Sequence, residues 1–276
     1  MTSYVFRVHG LTLAGLSPED SYVRRLRAQR KPEPQLLTFL RAQYDTDGDY
    51  VFADIGANIG YTALLMARLF PRATVHAFEP GPTVFPLLRH NVEGARVVPV
   101  NAAVSSRSGT VAFVENSAYG HMVPQAAGGS TPMVSMADYA ARTGIARFDF
   151  VKIDVEGFEL DVFRGLGGLT DTVLFEFNTF ALDCHSRVNP LTLLEELSAD
   201  WDLYEFMRTD RLETIDDFPA VLHRTMIDRR TVSNLVAVRK GRALRQDLID
   251  PTIRGRQILD LGRVVKRFRA RLEAPR

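Results

Sequence analysis

The feature that most constrains this chain is a turn. Asp54-Ile55-Gly56-Ala57-Asn58-Ile59-Gly60 closes a short apolar run, Tyr50 to Ile55, and leads straight into a helical pattern, Tyr61 to Phe70. Gly56 and Gly60 let the backbone turn tightly and leave room for a ligand to reach main-chain atoms. The dinucleotide pattern G-x-G-x-x-G is absent, because Asn58 stands where its second glycine belongs. No Lys-Ser or Lys-Thr pair follows, so a phosphate loop is excluded as well. An acid at the strand end suits a polyphosphate poorly. Asp54 suits the ammonium of an amino-acid moiety.

A strand feeding a helix through such a turn is the unit of an open α/β sheet, and the rest of the chain repeats it. Strand-length apolar runs occur at 74–78, 97–100, 150–154, 172–177, 203–207 and 235–238. Helical patterns lie between them at 82–92, 138–143, 158–166 and 191–197. This alternation predicts a doubly wound, mostly parallel sheet with helices on both faces and ligands outside the carboxyl ends of its strands. Thr110 to Val114, approached through Ser108-Gly109, reads as an added hairpin strand. Residues 115 to 132 are rich in Gly, Ser and Ala without a period, so a long loop over the site is expected. Ser17 to Gln43 reads as helix interrupted at Pro32 and Pro34. Three parts follow: an N-terminal helical segment 1–49 packed on the core, a domain 50–240, and a tail 241–276.

With 276 residues, 46% hydrophobic and 24% charged, the composition is that of an ordinary globular chain, which argues against disorder or a fibrous repeat. The net charge is +1, which gives no support to whole-protein attraction to nucleic acid. Residues 241–276 hold ten Lys or Arg against four Asp or Glu, and 258–272 reads as a basic amphipathic terminal helix. No apolar stretch is long enough for a membrane span, and the single cysteine, Cys184, cannot form an internal disulfide. The expectation is a cytoplasmic protein with no integral membrane segment. Homo-oligomerisation stays open.

The second strand ends at Glu79, 25 positions after Asp54. A carboxylate there accepts both hydrogen bonds of a ribose diol. An ammonium at Asp54, a ribose at Glu79 and no phosphate together describe S-adenosyl-L-methionine.

The motifs Asp54-Ile-Gly-Ala-Asn-Ile-Gly-Tyr61, Ala77-Phe-Glu-Pro80, Asn101-Ala-Ala-Val-Ser105 and Lys152-Ile-Asp-Val-Glu-Gly-Phe-Glu159 occur in the order and spacing of the FkbM family of S-adenosylmethionine-dependent methyltransferases, which this chain resembles over roughly residues 51 to 176. The resemblance implies a class I methyltransferase (Rossmann-like) fold with an antiparallel last strand, and O-methylation of a hydroxyl. It also implies cofactor contacts at Asp54, Gly56, Asn58, Gly60 and Glu79, extended to Ala57 and Tyr61 beside the turn and to Asn101 and Ala103 where the adenine edge is read. Ala137 stands where the family often has an acid, so no role is carried to it.

The remaining chemistry falls on later strand ends. Asp154 and Glu156 share a side if the chain stays extended, as do Glu176 and Asn178. A carboxylate among them could take a hydroxyl proton during methyl transfer, or hard oxygens could hold magnesium; no histidine or acid spacing requires a metal, and none is expected. His121 and His185 are the histidines placed to reach a substrate, whereas His76 and His90 read as structural or surface. The expected catalytic set is therefore Asp154, Glu156 and His121, with Glu176, Asn178 and His185 binding a small-molecule or glycan acceptor. Tyr119 and Gly128, in the Gly-rich stretch, are expected to help close over it. The competing reading is a non-catalytic S-adenosylmethionine- or carbohydrate-binding protein on the same fold.

Overall fold

The structure is a computed structural model that describes residues 4–31, 33–116, 120–123, 129–229 and 231–245. The chain opens with a hairpin, β1 (Tyr4–Val8) and β2 (Leu11–Gly15), followed by α1 (Ser21–Ala28) and α2 (Pro34–Gln43). Next come β3 (Val51–Ile55), α3 (Tyr61–Leu69), β4 (Thr74–Phe78), α4 (Phe85–Asn91) and β5 (Val97–Val100). Four short strands follow, β6 (Ala103–Val104), β7 (Gly109–Val114), β8 (His121–Val123) and β9 (Thr131–Val134), and then α5 (Met136–Thr143). The second half runs β10 (Phe150–Ile153), α6 (Glu159–Gly165), β11 (Thr172–Asn178), α7 (Thr179–Ala181) and α8 (Pro190–Asp200). It ends with β12 (Trp201–Arg208), β13 (Arg211–Thr214), α9 (Phe218–His223) and β14 (Val232–Arg239).

The main sheet has eight strands in the order β5-β4-β3-β10-β11-β14-β12-β13. Strands β5 to β11 are parallel, and β14 enters antiparallel between β11 and β12. Winding from β3 runs outward to β5, and winding from β10 runs the other way to β11. The order therefore reverses between β3 and β10, and a crevice opens at their carboxyl ends.

The strands read as nearly continuous apolar runs because both faces of the sheet are covered. Ala53 and Ile55 of β3 face one core with Val151, Ile153, Phe175 and Leu194, while Phe52 faces the other with Phe39, Met66 and Phe70. Phe52 meets Phe70 edge-on at 5.3 Å between ring centroids and Phe150 at 6.0 Å. A third cluster joins Phe6 and Leu13 of the hairpin to Val23, Leu26, Tyr61 and Leu65, so the N-terminal segment packs over the start of α3.

Two expectations need correction. The N-terminal segment is not purely helical, since β1 and β2 precede its helices. The stretch 115–132 is not one loop: β8 and β9 join β6 and β7 in a separate four-stranded sheet ordered β6-β9-β7-β8. At three and four residues, β8 and β9 are too short to show an apolar alternation, whereas β7 is the expected hairpin strand. Residues 117–119 and 124–128, with Tyr119 and Gly128, lie outside the described residues, as does the tail pattern at 258–272. Strand β13 and helix α9 had no clear periodic signal either. Among the described residues no helix is long and apolar enough to cross a membrane.

Phe52 is fully buried at the sheet centre. Phe52→Ala is expected to destabilise the protein by about 3–5 kcal/mol, read from the guanidinium midpoint; a loss below about 1 kcal/mol would contradict this packing.

Candidate active site

A cavity of about 240 Å³ lies outside the carboxyl ends of β3, β4, β10 and β11. Gly56, Asn58, Glu79, Ala103, Asp154, Glu156 and Glu176 all line it. Gly56 has φ +84°, and a Cβ there would stand 1.8 Å from the Asp154 carbonyl oxygen. Only glycine lets the first turn pass that close to the end of β10. Gly60 also has positive φ, but its missing side chain makes room for Leu88 and Val92 of α4, so its service is to packing rather than to the cavity wall.

Glu79 is 7% exposed. One carboxylate oxygen accepts from the Asn58 amide at 3.0 Å and the other from the Gly81 amide at 2.7 Å. Burial pushes its pKa up to about 7, against the pull of those two amides. Asn101 does not line the cavity; its Nδ2 donates to the Glu79 carbonyl at 2.9 Å and steadies that strand end. Nearby, Glu115 accepts from the Thr83 and Val84 amides at the start of α4.

Below this wall lies a charged floor. Lys152 of β10 stands in register with Asp54 of β3, and its Nζ is 3.6 Å from Asp54 Oδ1 and 3.2 Å from Asp154 Oδ2. Asp54 is fully buried, and among the described residues its oxygens have no hydrogen-bond partner and face Lys152 as an ion pair. Its pKa is about 6, because burial outweighs the attraction of Lys152. Asp54 is not among the residues that line the cavity, whereas its partner Lys152 is. The charge this floor presents is therefore a cation, which suits the carboxylate of an amino-acid end rather than the ammonium expected at Asp54.

Asp154, Glu156 and Glu176 each bring a carboxylate oxygen within 4.8 Å of the others, a spacing that a divalent cation could also bridge. The shared side of Asp154 and Glu156 does not come from strand alternation. β10 ends at Ile153, and Glu156 swings round in a left-handed turn, φ +53°, braced by Glu159 Oε1 accepting from the Val155 and Gly157 amides. Glu176 and Asn178 do share a face of β11, and Asn178 Nδ2 lies 3.4 Å from both Glu156 Oε2 and Glu176 Oε2. Burial, then the Asp154 charge, raises the pKa of Glu156 and Glu176 well above the carboxylate range.

The two histidines meet. His121 lines the cavity from β8 and stacks on His185, with ring centroids 3.8 Å apart and planes within 5°. His185 Nδ1 is 2.8 Å from the Glu156 carbonyl oxygen, which can only accept, so Nδ1 carries the proton. His185 thus stands behind His121 and locks the turn bearing Glu156, rather than lining the cavity.

Two further expected contacts lie elsewhere. Tyr61 is fully buried, and its hydroxyl meets His9 Nδ1 at 2.6 Å; Ala57 belongs to the core beside Ala63 and Leu88. His76 is buried and bonded to the Tyr139 hydroxyl at 2.8 Å, and His90 is exposed on α4. Residues that sequence reasoning passed over include Lys152 and Glu159, both inside a quoted motif, and Glu115 in the supposed loop. Arg25, Gln29 and Glu33 of the N-terminal segment also line the cavity. Nothing but the third dimension brings that segment there.

The donor set fits S-adenosylmethionine. Buried Glu79 offers oxygens to a diol, the Gly56 turn leaves the space a Cβ would fill, and a wall dominated by carboxylates suits a cation without phosphate. A parallel sheet with one inserted antiparallel strand and a site at its switch point define a Rossmann-like methyltransferase class. The model of the methyltransferase FkbM domain matches residues 54–205. The chain belongs to this family, whose methyl donor is S-adenosylmethionine. It is 30% identical over 192 residues to the hexuronic acid methyltransferase AglP of Haloferax volcanii, covering 65% of this chain and 77% of the relative. It is 32% identical over 156 residues to the 31-O-demethyl-FK506 methyltransferase FkbM of Streptomyces tacrolimicus, covering 43% and 60% respectively. Among solved structures, a chain of the fibrillarin/Nop5p complex superposes with a TM-score of 0.46 at 13% identity, covering 85% of this chain and 97% of that one.

The buried acids set a pH dependence. Asp54, Glu79 and Glu159 have folded pKa values of about 6, 7 and 7, each above its unfolded value, so the folded state holds more protons in between. Their contribution to stability is complete below the unfolded values near pH 4 and is lost as pH rises through 7. The ligand-free protein is expected to show a falling Tm from pH 5.5 to 8, with a shallower fall in Glu79→Gln; a Tm that rises across this window would refute it.

Proposed function

We propose that this protein is an O-methyltransferase that moves the methyl group of S-adenosylmethionine to a hydroxyl of a sugar, glycan or related natural product. The gathering of Asp154, Glu156 and Glu176 beside the Glu79 wall carries this reading. When bound, the cofactor supplies an electrophilic methyl on a sulfonium. Glu79 accepts from the ribose diol, the Gly56–Asn58 turn gives the backbone close approach, and Ala103 flanks the adenine. Asp54 acts on the amino-acid end through Lys152, while Gly60, Ala57, Tyr61 and Asn101 hold the turn and strand end in place.

Asp154 faces Lys152, whose Nζ lies 3.2 Å from its Oδ2, and is the member of the cluster tied to the cavity floor. Glu156, whose raised pKa matches a proton-transfer role near neutral pH, takes the hydroxyl proton as the methyl is transferred. Glu176 and His121 orient the acceptor, and Asn178 and His185 hold them and the Glu156 turn from behind. Two relatives support the acceptor class by their names, one acting on a hexuronic acid and one on an oxygen of FK506.

Glu156→Gln and Asp154→Asn are expected to lower kcat about 100-fold or more while S-adenosylhomocysteine affinity changes far less, and chelator is expected to leave activity intact. Transfer abolished by chelator and restored by magnesium would replace the carboxylate base by metal assistance. Cofactor binding with no transfer to any sugar, polyketide or phenol would favour the non-catalytic reading.

A further inference from the structure

The matched family residues begin at 54, yet one wall of the cavity comes from the segment before them. Arg25 of α1 is exposed and lines that wall, with its Cζ 5.1 Å above the Tyr22 ring centroid. Tyr22 is itself 7% exposed and packed in the N-terminal core, so the guanidinium rests over an anchored ring. The other Lys or Arg of the described lining, Lys152, is committed to Asp54 and Asp154. The Arg25 guanidinium makes no hydrogen bond or ion pair with any described residue. It presents a planar fork, complementary to the paired oxygens of a carboxylate or phosphate.

The rest of the wall carries Glu33, Glu79, Glu115, Asp154, Glu156 and Glu176. Arg25 and Lys152 are the Arg and Lys side chains of the described lining, and Lys152 is already held by Asp54 and Asp154, so an anionic acceptor is received best with its oxyanion at Arg25. Its oxyanion meets α1 and its hydroxyl meets the carboxylate cluster. We propose that Arg25 is a specificity residue that grips an oxyanion, carboxylate or phosphate, on the acceptor sugar and thereby presents a hydroxyl to Glu156. This deepens the O-methyltransferase reading above and rests on it.

The test is calorimetric titration of the full chain, saturated with S-adenosylhomocysteine, with methyl β-D-glucuronide, methyl β-D-glucoside 6-phosphate and methyl β-D-glucoside. At least one anionic glycoside is expected to bind about tenfold or more tighter than the neutral one, and which of the two does so names the oxyanion. Arg25→Met is expected to erase the preference, Arg25→Lys to keep part of it, and both to retain the wild-type melting temperature. Equal binding, binding of none, or a preference that survives Arg25→Met overturns the proposal. So does a change equal for all three glycosides, the signature of a cation that only offsets Asp154 and Glu176. Methyl transfer measured in parallel separates the two readings. Transfer without anion preference removes the grip and leaves the reaction, and anion preference without transfer does the reverse.

Discussion

The ion pair between Lys152 and Asp54, made across two adjacent parallel strands at the point where the sheet reverses its order, is the constraint on which the site depends. Removing Lys152 would leave the Asp54 carboxylate buried in the sheet centre without its cation, a loss that in buried pairs generally costs several kcal/mol. The same Lys152 nitrogen reaches Asp154, so the floor of the cavity and the first acid of its wall are tied by one cation. With Gly56 pressed against the Asp154 carbonyl, the turn after β3 and the turn after β10 cannot move independently.

From that junction the electrostatics of the cavity follow. Six acids line it against Arg25 and Lys152, and burial rather than hydrogen bonding sets the proton affinity of the inner ones. A sulfonium entering such a space replaces protons as the compensating positive charge. The geometry that favours the cofactor thus also supplies a carboxylate of raised pKa, the group that the proposed transfer to a hydroxyl would call on as its base. The stacked histidines extend this arrangement to the second sheet, since His185 holds the Glu156 carbonyl while His121 faces the cavity.

Much of this is written in short-range pattern. Val51 to Ile55, Gly56 and Glu79 announce strand, turn and strand end because parallel strands buried on both faces need continuous apolar runs and the turns between them need glycine. The acids Asp154, Glu156 and Glu176 were legible as strand-end groups, although the left-handed turn at Glu156 was not, since a non-glycine residue there is held only by Glu159 and the packing around it. What the pattern could not carry is contact between distant segments. Asp54 looked like a ligand contact until Lys152 came between it and the cavity, and Tyr61 looked like a neighbour of the turn until His9 claimed its hydroxyl. Arg25 lies on a helix whose sequence shows only an amphipathic face. β8 is too short for a period, so His121 was expected on a loop.

The switch-point cavity is read as the seat of S-adenosylmethionine, between Glu79 and the carboxylate cluster. A crystal structure with S-adenosylhomocysteine bound tests it most directly. The account predicts both ribose hydroxyls within hydrogen-bond distance of the Glu79 carboxylate and the sulfur facing Asp154, Glu156 and Glu176. A ligand seated elsewhere on the sheet, or one that leaves Glu79 bonded only to Asn58 and Gly81, would contradict it.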